Sequence, residues 1–67
     1  MRSVFTLEEV GEMLDMSYPE VEKEIERGYL SYTFYEGEKK VTLYDLEKYM
    51  GVEQTQKITR EFLKAKS

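Results

Sequence analysis

Residues 5–20 read Phe-Thr-Leu-Glu-Glu-Val-Gly-Glu-Met-Leu-Asp-Met-Ser-Tyr-Pro-Glu, and this stretch decides the fold because it holds two helix starts with a break between them. In Thr6-Leu7-Glu8-Glu9 the Thr6 hydroxyl can accept from the Glu9 amide while the Glu9 carboxylate accepts from the Thr6 amide, the reciprocal arrangement of a capping box. Leu7, Val10, Met13 and Leu14 follow at helical spacing on one face, and Phe5 is placed to staple onto it. Asp15-Met16 breaks that period. Ser17-Tyr18-Pro19-Glu20 is a second box, with Pro19 in the first turn where a missing N–H costs nothing. Val21 and Ile25, with Tyr18, give the second helix its buried side, and Gly28 ends it.

After Gly28 the period falls to two. Leu30, Tyr32 and Phe34 alternate with Ser31, Thr33 and Tyr35, which predicts a strand. Glu36-Gly37-Glu38 is a short turn, and Lys39-Lys40-Val41-Thr42-Leu43 returns as a second strand. A lone hairpin is marginal in water, so its apolar face is expected against the helices, with Phe5, Tyr32, Phe34 and Tyr49 as packing residues. Thr42-Leu43-Tyr44-Asp45 opens a third helix with Leu46, Tyr49 and Met50 on its apolar side, and Gly51 stops it. Gln54 to Lys64 reads as a fourth helix on a thin stripe of Ile58 and Phe62, with Thr55 and Ala65 as further members.

Length and composition narrow the function. Sixty-seven residues make one domain with a small core, and neither cysteine nor histidine is present to staple it. The same absence removes thiol and imidazole catalysis and every Cys/His zinc pattern. No pair of carboxylates stands out as an acid/base couple and no Asp-x-Asp-x-Asp-Gly loop is present, so the chain reads as a non-enzyme without cofactor or metal. No apolar run reaches the length of a membrane span and no signal-like stretch opens the sequence, which reads as cytoplasmic. Residues 1–53 carry six basic against thirteen acidic side chains, −7, while residues 54–67 carry four against one, +3. The expected division is thus an acidic domain over 1–53 and a basic C-terminal tail over 54–67, helical or partly disordered.

Helix, tight turn, helix, Gly-x-Leu, hairpin and helix make an α+β, mainly helical, winged helix-turn-helix with the hairpin as the wing. The residues resemble the MerR-like and excisionase-like winged helix-turn-helix domains over positions 4–50: Phe5-Thr6-Leu7-Glu8-Glu9-Val10, Met13-Leu14, Ser17, Val21, Ile25, Gly28-Tyr29-Leu30 and Leu43-Tyr44-Asp45-Leu46-Glu47-Lys48-Tyr49. The resemblance implies a small protein bound to double-stranded DNA, acting as a transcription regulator or excisionase-like accessory factor, its second helix in the major groove and its wing on the backbone. Gly11 stands where the family has Ala, and Asp15 where it often has Gly.

The larger departure is charge. The second helix carries Glu20, Glu22, Glu24 and Glu26 against Lys23 and Arg27, and carboxylates repel phosphate. Candidate DNA contacts are therefore Ser17, Tyr18, Lys23 and Arg27 on the helix, Tyr35, Lys39 and Lys40 on the wing, and Lys57, Arg60 and Lys64 on the tail. Two local alternatives stand beside these. Lys23 and Arg27 are spaced to pair with Glu20, Glu24 or Glu26, and Lys39-Lys40 can be gatekeepers of a short edge strand. A different function stands beside DNA binding: the four glutamates dock on a basic protein partner, such as a recombinase or polymerase subunit, or mimic DNA. The tail is either a backbone-binding extension or a homo-oligomerisation helix using Ile58 and Phe62.

Overall fold

Three reciprocal capping boxes fix the frame of the computed structural model, which describes residues 2–67. The order is β1 (Val4–Thr6), α1 (Leu7–Leu14), α2 (Tyr18–Glu26), β2 (Thr33–Tyr35), β3 (Glu38–Thr42), α3 (Leu43–Met50) and α4 (Val52–Lys66). Among the described residues this is a mainly helical α+β domain of four helices and one three-stranded antiparallel sheet. No helix among them is long and apolar enough to cross a membrane.

Thr6 caps α1, its Oγ1 accepting from the Glu9 amide at 3.0 Å while the Thr6 amide donates to the Glu9 carboxylate at 2.9 Å. Ser17 and Glu20 do the same for α2, and Thr42 and Asp45 for α3. Between α1 and α2 the chain turns through Asp15 in the left-handed conformation, φ 56°, and the Asp15 and Met16 amides both donate to the Gly11 carbonyl. A Cβ on Gly11 would lie 2.6 Å from the Met16 carbonyl oxygen, so the turn closes only because no side chain is there. Gly28, at φ 81°, reverses the chain after α2, and the Tyr29 and Leu30 amides return to the Glu24 carbonyl.

The sheet differs from the expected hairpin in two ways. Its order is β1-β3-β2, with Phe5 opposite Val41 and Phe34 opposite Lys39. β1 was not expected, since three residues carry no readable alternation. β2 is shorter than the expected strand over 30–35, and Phe34 is 65% exposed instead of packed. The reason is position: α1 covers β1 and β3 and α3 covers β3, which leaves β2 as an edge beyond the helices.

The core is Phe5, Leu7, Val10, Val21, Leu30, Val41, Leu46 and Phe62. Phe62 meets Phe5 edge to face, ring centroids 6.1 Å apart, which fastens α4 to the sheet. α4 packs on α3 and α1, and its buried stripe is Thr55, Thr59 and Phe62, with Ile58 half-buried and Ala65 exposed. Ala65 therefore leaves the expected stripe and Thr59 joins it. The helix runs without a break through the expected boundary at 53/54.

Candidate nucleic-acid interface

α2 sorts its charges by face. Val21 and Ile25 point inward, and Glu24 turns toward α3, where its carboxylate accepts from the Tyr49 hydroxyl at 2.6 Å. That bond pushes the Tyr49 phenol up to about 12. Glu20 is held by its own cap, the Ser17 amide donating to its carboxylate at 2.8 Å and lowering its pKa. Two of the four glutamates thus have intramolecular partners, Glu24 half-buried against α3 and Glu20 at the exposed helix start. Glu22, Lys23, Glu26 and Arg27 remain on the exposed face, two of each sign. Among the described residues neither Lys23 nor Arg27 forms an ion pair within 4.0 Å; both line a shallow depression with Met16, Glu20 and Glu24. Glu20 stays exposed and ionised beside them, so the outer side of the helix keeps three carboxylates against two cations.

Ser17 is exposed but its hydroxyl is engaged by the Glu20 amide at 3.3 Å. Tyr18, 43% exposed, lines a groove of about 380 Å³ between the start of α1, α2 and the hairpin, with Leu7, Glu8, Glu22, Glu38 and Lys39 around it. Three carboxylates and one ammonium make that groove acidic.

The two hairpin lysines fall on opposite faces, as neighbours in a strand must. Lys39 stands over the Tyr32 ring, 5.0 Å from its centroid, on the side of the sheet that carries Phe34 and Val41. Lys40 lies over Tyr35 at 5.8 Å and 3.8 Å from Glu38, with 14% of its side chain exposed. Lys40 is consequently the less available of the pair. Tyr35 is half exposed.

Lys57, Arg60 and Lys64 are exposed on α4, on the side away from Thr55, Thr59 and Phe62. Since α4 packs on α1 and α3, the fold does not bring these three together with the cations of α2 and the hairpin. Phe62 is buried in the domain's own core and is not a surface contact for a second copy. Sequence reasoning passed over Phe34 and Tyr29, both about two-thirds exposed. The alternation of Phe34 signals packing, and only the edge position of β2 shows otherwise; Tyr29 lies outside that alternation, in the turn after α2. Among the described residues no group of carboxylates is gathered closely enough to hold a metal ion. Compared with known proteins, the chain matches no family model, no curated protein and no solved structure.

Proposed function

We propose that this is a cytoplasmic winged helix-turn-helix protein that binds double-stranded DNA as a small regulator or recombination accessory factor, α2 entering the major groove and the β2–β3 hairpin serving as the wing. The observation that carries the reading is the sorting of charge on α2. Glu20 and Glu24 are occupied by Ser17 and Tyr49, so Lys23 and Arg27 stand exposed and unpaired beside Glu22 and Glu26. A helix that looks strongly acidic in sequence turns Glu24 to α3 and ties Glu20 to its own cap, which leaves its outer side only weakly acidic. Its lysine and arginine are free for phosphate, and Glu22 and Glu26, the two carboxylates without an intramolecular partner, are within what cytosine amino groups can use. Among the described residues Lys39 is the one cation of the groove between α2 and the hairpin.

Fluorescence anisotropy against duplex DNA at about 50 and 200 mM salt tests this. The expected result is salt-sensitive binding whose slope falls by up to about two when Lys23 and Arg27 are both changed to Ala. Binding that ignores both substitutions would remove α2 from the interface.

A second reading rests on the acidic groove of Glu8, Glu22 and Glu38 beside the exposed aromatics of the hairpin. Aromatic side chains with a charged rim suit a protein partner of basic character. Retention of such a partner that is lost in Glu22→Lys, with no DNA bound at low salt, would favour it.

A further inference from the structure

The chain has three phenylalanines and treats them unequally. Phe5 and Phe62 close on each other in the core, while Phe34 holds its ring in solvent at 65% exposure on a sheet edge. Phe34 is also not loose. Tyr32 meets it edge to face with centroids 5.5 Å apart, and the Lys39 ammonium lies on the far partner of that pair. The arm that carries them is a two-residue turn, Glu36-Gly37, with both φ values positive at 55° and 80°, the geometry whose twist matches a hairpin. Phe34 and Lys39 face each other across the strands, on the same side of the sheet as Val41, and Lys39 borders the groove shared with Tyr18 and Glu22 of α2. The exposed ring therefore lies on the same sheet face as Lys39, at the border of that groove. Glu38, the carboxylate nearest the pair in the strand, is partly offset by Lys40 at 3.8 Å.

We propose that Phe34 is a wedge. With α2 on the major groove, the hairpin lays its Phe34 face against the adjacent minor groove, the ring enters between two base pairs, and the duplex kinks away from it. The inference rests on the DNA-binding reading above and adds what that reading lacks, a cause of bending and a preferred step. An apolar ring propped from one side by Tyr32, with the Lys39 ammonium over that neighbouring ring, suits an opened base step: π faces above and below, phosphate close by. Pyrimidine–purine steps unstack most easily, so a TA or CA step is expected at a fixed distance from the bases under α2.

The test uses the full chain and duplexes recovered by repeated selection from a random pool at about 50 mM salt. Affinity is read by anisotropy and bending by energy transfer between dyes on the two duplex ends. The wild type is expected to bind and bring the ends closer. Phe34→Ala should bind within about tenfold of the wild type yet lose the change in energy transfer, and Phe34→Leu should restore most of it. Because the ring is exposed, both variants are expected to keep the wild-type far-ultraviolet circular dichroism, which is recorded first. Binding without bending, or bending that survives Phe34→Ala, overturns the wedge and leaves the DNA-binding reading standing. Tighter binding to the separated single strands overturns it in favour of a stacking platform for unpaired bases. Failure to retain any duplex overturns both readings together and leaves the exposed ring to a protein contact.

Discussion

From Leu14 to Tyr18 the molecule holds its chain by several independent bonds at once; from Tyr32 to Glu38 it holds its chain by the turn, the pairing of β2 with β3 and, among the described residues, a single tie to α3, the Thr33 hydroxyl donating to Asp45 at 3.3 Å. At the first place Gly11 gives up its side chain, Asp15 takes the left-handed conformation, and Ser17 and Glu20 exchange bonds. At the second, Phe34, Tyr35 and Lys39 face solvent and touch mainly one another's neighbours. Residues fully used by folding are not free to recognise anything. The hairpin's spare aromatic and cationic groups, and the unpaired Lys23 and Arg27, are where binding chemistry remains.

One substitution made at two sites can break this comparison. Phe62→Ala should cost about 3–5 kcal/mol, a large part of the stability of so small a domain, because it empties space against Phe5. Phe34→Ala should cost less than about 1 kcal/mol, chiefly its edge contact with Tyr32. Urea unfolding followed by circular dichroism measures both. Equal losses would mean that the hairpin is part of the core after all, and a small loss at Phe62 would detach α4 from it.

Gly11→Ala comes next in size. In an open helix interior this change gains up to about 1 kcal/mol, but here the new methyl meets the Met16 carbonyl at 2.6 Å, backbone that must shift. A net loss of about 1–3 kcal/mol is expected, seen as a fall in Tm of about 4–8 °C for each kcal/mol. A rise in Tm would show that the turn after α1 is looser than the hairpin, the reverse of the contrast drawn here.

Much of the tight region was readable in sequence. Thr6–Glu9, Ser17–Glu20 and Thr42–Asp45 are local signals, complete within four residues, and each forms as its spacing requires. What escaped was set by distant partners. β1 exists because Phe5 finds Val41, thirty-six residues on, and nothing in Val4-Phe5-Thr6 announces it. Phe34 alternates like a packed strand residue and is bare because the helices cover only β1 and β3. In α4 the stripe is rotated toward Thr55 and Thr59 by the direction in which α1 and α3 meet it. The candidate site divides the same way: exposure of Lys23 and Arg27 followed from helical spacing, whereas Tyr18, spaced for the buried side, is 43% exposed, and the diversion of Glu24 to Tyr49 needed α3 in place.

The α1 cap gives a pH-dependent test. Arg2 donates to the Glu9 carboxylate at 2.6 and 2.8 Å, and with the Thr6 amide this holds Glu9 down to about 2 from an ordinary 4.5. A depressed carboxylate contributes stability that is fully present above about 4.5 and is lost as the pH falls toward 2. After allowance for solvent around the pair, about 1–2 kcal/mol should disappear across that window, and less in Arg2→Ala. Parallel acid profiles for the wild type and Arg2→Ala would remove Glu9 from the frame.

The smallest effect separates the two turns themselves. Each places a non-glycine residue at positive φ, Asp15 at 56° and Glu36 at 55°. Asp has a short polar side chain that accepts the left-handed region, and the turn it caps is otherwise fully bonded. Glu has no such compensation, and a two-residue hairpin turn of this geometry favours Asn-Gly over Glu-Gly. Glu36→Asn should therefore stabilise by a few tenths to about 1 kcal/mol, while Asp15→Asn changes little. Amide exchange in Tyr35 and Glu38 should slow in Glu36→Asn and stay unchanged in Asp15→Asn. A stiffer hairpin is also expected to present Phe34 with less ordering to complete on binding, so the gain in exchange protection and any gain in affinity for duplex should appear in the same variant. Protection without improved affinity would confine the hairpin's role to the fold and return recognition to α2 alone.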